Sequence, residues 1–405
     1  QGPDNAQGIA MVFFGVPSFF AILAIIVLVA AVLGLTERPL APWGMVSSLV
    51  LLVLLLWGHA DQATALAVFL LLSLGTTRWL MAHPQSQLRF CASVALVCAP
   101  LVAYKLTESL ATDGILGFVG ISYVTFKSVQ ILMETYDGLI APGDLSLVDQ
   151  LYFLLNFFEL DSGPIDRSRR FVEDVHRRIP RDEYAGMLAR GILLILGGVA
   201  YKMVIAAYVH RGYALVPWGT GPVWQELWQQ VVICYQYGLY LFFDFAGYTM
   251  MAMGAGYCLG IRVPRNFRAP FLACDLMDFW NRWHITLSTW LRDFVFMRIT
   301  RVLMRHHVFK GTKGRLRTAQ VGLIANMLLM GCWHGITIDY LGYGLYHGVL
   351  MAVTEAYHRS AFFKAHRDAV WLTMLSWFVT MQLVFVGFAL FSGQVSFLVR
   401  GALNG

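Results

Sequence analysis

The groups in this sequence that could do chemistry gather around two imidazoles. His334 closes the apolar run Asn326-Met327-Leu328-Leu329-Met330-Gly331-Cys332-Trp333-His334-Gly335. Ionisable groups are costly in hydrocarbon and, when retained there, face a wet interior or a partner, so this histidine is a functional candidate in its own right. Gly331 and Gly335 flank it and would let another backbone or a substrate come close. The plainer alternative is a histidine bonded to the carbonyl of a neighbouring helix, and at this level both readings stand. His284 lies in the second polar intrusion, Asp275-Leu276-Met277-Asp278-Phe279-Trp280-Asn281-Arg282-Trp283-His284-Ile285-Thr286-Leu287-Ser288-Thr289-Trp290-Leu291-Arg292-Asp293-Phe294. Each charge at mid-bilayer costs at least ~2.5 kcal/mol, so this is no lipid-facing helix. Its Trp and Phe content makes it no solvated loop either. Drawn as one helix, it puts Asn281, His284 and Ser288 on one face and Trp283 and Trp290 on another, and it lets Asp278 pair with Arg282. The expectation is a polar stripe backed by aromatics that lines an internal wet chamber.

An imidazole with an ordinary pKa of ~6.5 can take the proton of a hydroxyl, and a positioned base is worth ~10²–10⁴-fold in rate. The rest of the sequence narrows the partner reaction. His306, His307 and His347 show no metal-ligand spacing, and there is no acidic metal cluster, serine elbow or glycine-rich phosphate loop. Cys91, Cys98, Cys234, Cys258, Cys274 and Cys332 form no Cys-x-x-Cys pair, and most of them read as buried thiols in helices. The electrophile must therefore arrive already activated, and a thioester meets that need without metal or nucleotide. The residues alone read as acyl transfer to a hydroxyl inside a membrane chamber, with His334 as base. No metal, no tightly bound cofactor and no nucleic-acid partner is expected.

The elements that must position these groups are membrane helices. Of 405 residues, 58% are hydrophobic and only 13% charged, against about 25% charged in soluble domains. A spanning helix needs about 20 mostly apolar residues. Apolar windows fall near 9–35, 43–58, 62–81, 90–104, 115–135, 147–160, 186–210, 228–260, 319–337, 340–357 and 370–391. The windows at 115–135 and 147–160 are short or carry Lys127, Glu134, Asp149 and Glu159, and read as tilted, partial or re-entrant. The first window is too long for a signal-peptide core and has no basic residue before it, so it reads as a retained helix. Gln1-Gly2-Pro3 reads as foreign to the native chain, with Met11 as a candidate start, and residues 1–10 are set aside. No repeat, low-complexity tract or long linker divides the chain, which reads as one membrane domain over 1–405.

Basic residues cluster at Arg167, Arg169, Arg170, Arg177, Arg178 and Arg181, at Arg262, Arg265 and Arg268, and from Arg298 to Arg317. A smaller group is Arg359, Lys364 and Arg367. Loops rich in Lys and Arg stay in the cytoplasm, so these stretches are placed on one cytosolic face. They act as topology signals alone, or they also suit an acidic protein or anionic lipid heads.

Phe279-Trp280-Asn281-Arg282-Trp283-His284-Ile285-Thr286-Leu287-Ser288-Thr289-Trp290-Leu291-Arg292-Asp293-Phe294-Val295-Phe296 resembles the hallmark segment of the membrane-bound O-acyltransferases. Cys332-Trp333-His334-Gly335, followed by Gly344-Leu345-Tyr346-His347-Gly348, resembles the block that holds the family's catalytic histidine, and Asp244-Phe245-Ala246-Gly247-Tyr248 resembles a third shared block. Together they cover roughly residues 115–360. Ser162-Gly163-Pro164-Ile165-Asp166-Arg167 with Arg169-Arg170-Phe171, and Arg292 to Arg298, lean towards the D-alanyl-transferring branch rather than the alginate-acetylating one.

The resemblance implies an all-α polytopic fold, a ring of about eleven transmembrane or partial helices around a central funnel, with re-entrant segments. It implies His334 as the catalytic histidine and His284 as the second one. The candidates for contact with substrate are Asn281, Trp283, Ser288, Trp333 and Asp339. It further implies a small acidic (DltC-like) carrier protein presenting D-alanine as a phosphopantetheine thioester at the cytosolic face of a bacterial plasma membrane, other Dlt-type membrane proteins nearby, and a hydroxyl acceptor on a teichoic-acid-like polymer. Ile338 and Asp339 depart from the aromatic residues the branch favours there, which puts the acceptor in question. For the carrier, the amphipathic stretch Phe296 to Val308 offers Met297 and Val302 beside Arg298, Arg301 and Arg305; the alternative is a helix that simply lies on the membrane. Acetylation of an extracellular polysaccharide and transport or flipping are the rival functions.

Overall fold

The computed structural model of the chain describes residues 12–109, 116–217 and 221–404; the expectations for residues 1–10 and Met11 lie outside them. The described residues form helices and connecting turns, with no strand among them. Five helices are long and apolar enough to cross a membrane: Ser18–Leu35, Ala60–Met81, Gln87–Ser109, Arg181–His210 and Val370–Phe391. The chain is a multi-pass membrane protein.

Contacts divide the chain into two compact units that interleave along it, Gln1–Ala200 with Gly247–Arg265, and Tyr201–Ala246 with Asn266–Gly405. The first unit carries α1 (Pro17–Leu35), α2 (Ala41–Leu55), α3 (Ala60–Met81), α4 (Gln87–Ser109), α5 (Ile121–Tyr136), α6 (Leu147–Leu155), α7 (Ser168–His176) and α8 (Arg181–Val199). Proline opens α1 and α2 within their first two residues, where its missing N–H removes no helical bond. The hydroxyl of Ser146 caps α6 by accepting from the Asp149 N–H at 3.0 Å. At nine residues, about 14 Å, α6 is too short to cross a bilayer, as its charge content suggests.

The charges that interrupt the windows at 115–135 and 147–160 pair inside this unit. Lys127 Nζ lies 2.8 Å from Glu159 Oε2 and donates to the Phe153 carbonyl at 2.8 Å, with both side chains shut off from solvent. Asn156 adds a donor to Glu159 at 3.1 Å. Glu134 accepts from the Ser168 hydroxyl, and Arg170 pairs with Asp166. Asp174 takes the Arg262 guanidinium at 2.6 Å. Much of the Ser162–Arg170 motif thus serves to satisfy buried charge, as such groups require.

The second unit carries the functional candidates. A π-helical turn, Ala200–Ala206, and Ala207–His210 lead to α9 (Val223–Cys258), which the division cuts between Ala246 and Gly247. Then come α10 (Leu276–Trp280), α11 (Ile285–Leu291), a π-turn at Arg292–Phe296, α12 (Met297–Arg305), α13 (Gly314–His334), α14 (Ile338–His358), α15 (Val370–Phe391) and α16 (Gln394–Asn404). Between α13 and α14 the connection is only three residues, which makes them an antiparallel pair. Glycine lets their backbones meet: a Cβ on Gly331 would stand 2.3 Å from the Tyr340 carbonyl oxygen, and one on Gly344 2.6 Å from that of Met327.

Candidate functional site

The segment 275–294 does not form the single helix expected of it. It is two short helices, α10 and α11, broken between Asn281 and His284. Asp275 caps the first by accepting from the Asp278 N–H at 2.7 Å, and Asp278 holds Arg282 at 2.7 Å, the one pair the helical drawing placed correctly. His284 then adopts a left-handed backbone, φ +45°, which is uncommon for a side chain of this kind and needs outside support. Asn266 supplies it from eighteen residues upstream. The Ile285 N–H donates to the Asn266 carbonyl at 2.9 Å, and the Arg268 N–H to that of Arg282 at 2.9 Å. The break turns the expected stripe apart: Asn281 is exposed, His284 is 4% exposed, and Ser288, half-buried, donates to the Trp283 carbonyl at 3.2 Å. Trp283 is buried among Phe267, Phe279 and Phe388, with ring centroids at 5.1, 5.6 and 5.0 Å.

The side chain of Asn266 also settles the tautomer of His284. Its Oδ1 accepts from the Thr286 N–H at 3.2 Å and from the Thr286 hydroxyl at 2.9 Å, which fixes this atom as the oxygen. The same oxygen lies 3.1 Å from His284 Nδ1. A carbonyl oxygen cannot donate, so Nδ1 carries the proton and Nε2 keeps its lone pair. Phe245, from α9, packs edge-on against the ring at 4.8 Å. Its chain neighbour Asp244 is held by Lys202, so the Asp244-Phe245 pair braces the imidazole. His284 sits between helices too short to cross a bilayer; burial first, and next the charge of a protonated His334, push its pKa down to about 3.

His334 ends α13, where the helix gives way to the extended Gly335. Its ring is boxed by aromatics: Trp333 at 4.4 Å, Phe391 edge-on at 4.9 Å and Tyr340 at 5.9 Å. Gly335 is needed for that box, since a Cβ there would stand 2.6 Å from the Tyr340 ring. His334 stays half-exposed whereas His284 is buried. Trp333 links them, 4.4 Å from one imidazole and 6.4 Å from the other. The two histidines, fifty residues apart in the sequence, are thus joined through one indole.

Asp339 lies in the first turn of α14, half-buried, and accepts from the Ser396 hydroxyl. It stands next in sequence to Tyr340 but faces α16. The amphipathic stretch is helical over Met297–Arg305 rather than to Val308. Met297, Val302 and Met304 are exposed, about half of each side in solvent, with Arg301 and Arg305 exposed beside them; Arg298 is half-buried. Sequence reasoning gave no role to Asn266 or Phe391, and it marked Phe245 only as part of the shared block Asp244-Phe245-Ala246-Gly247-Tyr248. The turn-rich Pro264-Arg265-Asn266 entry was the one hint of Asn266, and nothing local marked Phe391.

The family model described as MBOAT, membrane-bound O-acyltransferase family, matches residues 57–393. The chain is 36% identical over 388 residues to "Teichoic acid D-alanyltransferase" of Bacillus subtilis (strain 168), covering 93% of this chain and 96% of that protein. It is 35% identical over 406 residues to the protein of the same name from Streptococcus thermophilus, covering 94% of each. "Probable alginate O-acetylase AlgI" of Pseudomonas aeruginosa is 31% identical over 277 residues, 68% of this chain and 49% of that protein.

Proposed function

We propose that this chain, which belongs to the membrane-bound O-acyltransferase family and is an acyltransferase of the membrane, moves a D-alanyl group from a carrier-protein thioester to a hydroxyl of a teichoic-acid-like polymer. The observation that carries the reading is the pairing of a half-exposed imidazole, His334, with a buried, tautomer-locked one, His284, through Trp333. Similarity along nearly the whole chain to two proteins named for D-alanyl transfer supports the choice of acyl group.

In this reading His334 takes the proton of the acceptor hydroxyl. The oxygen attacks the thioester carbonyl, the new C–O bond forms, the C–S bond breaks, and the carrier's thiol leaves with the proton. His284 offers only a lone pair at Nε2, so it accepts a hydrogen bond and does not donate one; since the single proton of the acceptor hydroxyl goes to His334, His284 is suited to hold a water beside that hydroxyl. The phosphopantetheine belongs to the carrier. The carrier docks on α12, whose exposed Met297, Val302 and Met304 meet apolar side chains while Arg301 and Arg305 meet an acidic helix. The excess of Lys and Arg in the loops supports a cytosolic position for that face, in a bacterial plasma membrane.

The similarity to the alginate O-acetylases favours acetyl transfer as the second reading. Cells carrying the protein are fed labelled D-alanine and labelled acetate, and the label on the envelope polymer is measured. D-Alanine on the polymer is expected; acetate alone would move the protein to the second reading.

A further inference from the structure

The first unit holds a cavity of about 630 Å³ bounded by the α1–α2 turn, the α7–α8 turn and the end of α9. None of its residues belongs to the site around His334. Leu40, Ile179, Leu259 and Ile261 give it an apolar floor, and Glu37, Arg38, Arg177 and Arg178 give it a charged rim. The carboxylates of this region are already matched. Asp174 lies within 4 Å of Arg170, Arg177 and Arg262, and Arg177 also pairs with Glu183. Glu37 takes a left-handed backbone, φ +55°, which turns its carboxylate onto the start of α8: Oε1 accepts from the Arg181 N–H at 3.1 Å. Its other oxygen stands 3.9 Å from Arg178, whose side chain remains 87% exposed. Arg38, the next residue, has no side-chain hydrogen bond or ion pair among the described residues. The rim therefore keeps one unmatched guanidinium and one loosely held.

The place of the cavity says what would match them. It opens where α1 ends and α8 begins, and both belong to membrane-crossing helices. On α1, Ile25, Leu28 and Val32 are exposed at helical spacing in a stripe that leads up to the turn, and Leu193 and Leu196 are exposed on α8. A ligand here meets guanidinium groups at its head and bare apolar helix along its length. We propose that the cavity binds the phosphate of an anionic phospholipid, with Arg38 and Arg178 as its charge partners and the acyl chains laid along α1 and α8. Basic pockets beside membrane helices recognise lipid phosphates through the same combination of charge and apolar wall.

The test is native mass spectrometry and thermal unfolding of the full chain in nanodiscs or micelles titrated with phosphatidylglycerol, phosphatidylcholine or soluble glycerol phosphate. Wild type is expected to retain phosphatidylglycerol over phosphatidylcholine and to unfold at higher temperature with it. Arg38→Gln with Arg178→Gln should weaken that retention by about tenfold to thirtyfold, from the worth of two basic groups near a lipid surface. Arg38→Lys with Arg178→Lys should keep most of it. Both variants should unfold like wild type in phosphatidylcholine. Equal retention of the two lipids by wild type, or undiminished phosphatidylglycerol retention by the double glutamine variant, overturns the proposal. Displacement of the lipid by glycerol phosphate at matching concentration overturns it too, by showing a site for soluble phosphate.

Discussion

Nδ1 of His284 lies 3.1 Å from Oδ1 of Asn266, an oxygen that also takes two hydrogen bonds from Thr286. This contact decides which nitrogen of the buried imidazole carries the proton and holds the ring in a left-handed backbone position. Asn266→Ala should therefore cost activity without touching substrate. A loss of about 10²-fold in kcat is expected, within the range for a misplaced acid–base group. Asn266→Asp, which keeps an acceptor for Nδ1–H, should recover part of it. Turnover of the purified variants with loaded carrier, beside their unfolding curves, checks this; equal activity of the alanine variant and wild type would remove Asn266 from the site.

The pH profile should show one histidine, not two. His284 is held neutral with a pKa near 3, so its protonation falls below the working range. Activity should rise with pH through a single ionisation, that of the base His334, and level off above it. In His284→Asn the same single rise should persist at a lower plateau. A second acid-limb ionisation that vanishes in His284→Asn would show that His284 titrates.

Gly331 carries a packing requirement that no larger side chain meets, since a Cβ would stand 2.3 Å from the Tyr340 carbonyl oxygen. Gly331→Ala should destabilise the protein by about 1–3 kcal/mol, the usual cost of overpacking. It should also displace Tyr340 and so lower activity. Thermal unfolding in detergent reads the first effect and turnover the second.

The buried pair Lys127–Glu159 is structural. Lys127→Met leaves Glu159 charged and shut in, and should cost about 3–5 kcal/mol. Lys127→Met with Glu159→Gln should regain much of that, and activity per folded molecule should match wild type. A double variant that folds but has lost catalysis would place the pair in the mechanism.

How much of this was legible in the sequence depends on how far each cause lies along the chain. His334, Gly331 and Gly335 announced themselves, because a polar group and its small neighbours sit within one helical turn of an apolar run. The spanning helices followed from composition, and Val370–Phe391 matches its window residue for residue. The break at His284 did not, since the asparagine that stabilises it lies eighteen residues away and periodicity carries no such information. Lys127 and Glu159 argued for short or partial helices, and neither α5, at 16 residues, nor α6, at nine, is among the helices long and apolar enough to cross; what the sequence did not tell is that the two charges pair with each other. The aromatic box of Tyr340 and Phe391 around His334 is likewise made by helices that meet only in the folded chain.

The most direct test of the account is D-alanine transfer by His334→Ala, purified and shown to unfold as wild type does, with loaded carrier and a hydroxyl acceptor. Loss of a positioned base should lower turnover by at least about 10²-fold. Transfer at the wild-type rate would contradict the role of His334 as base and, with it, the mechanism built on this site.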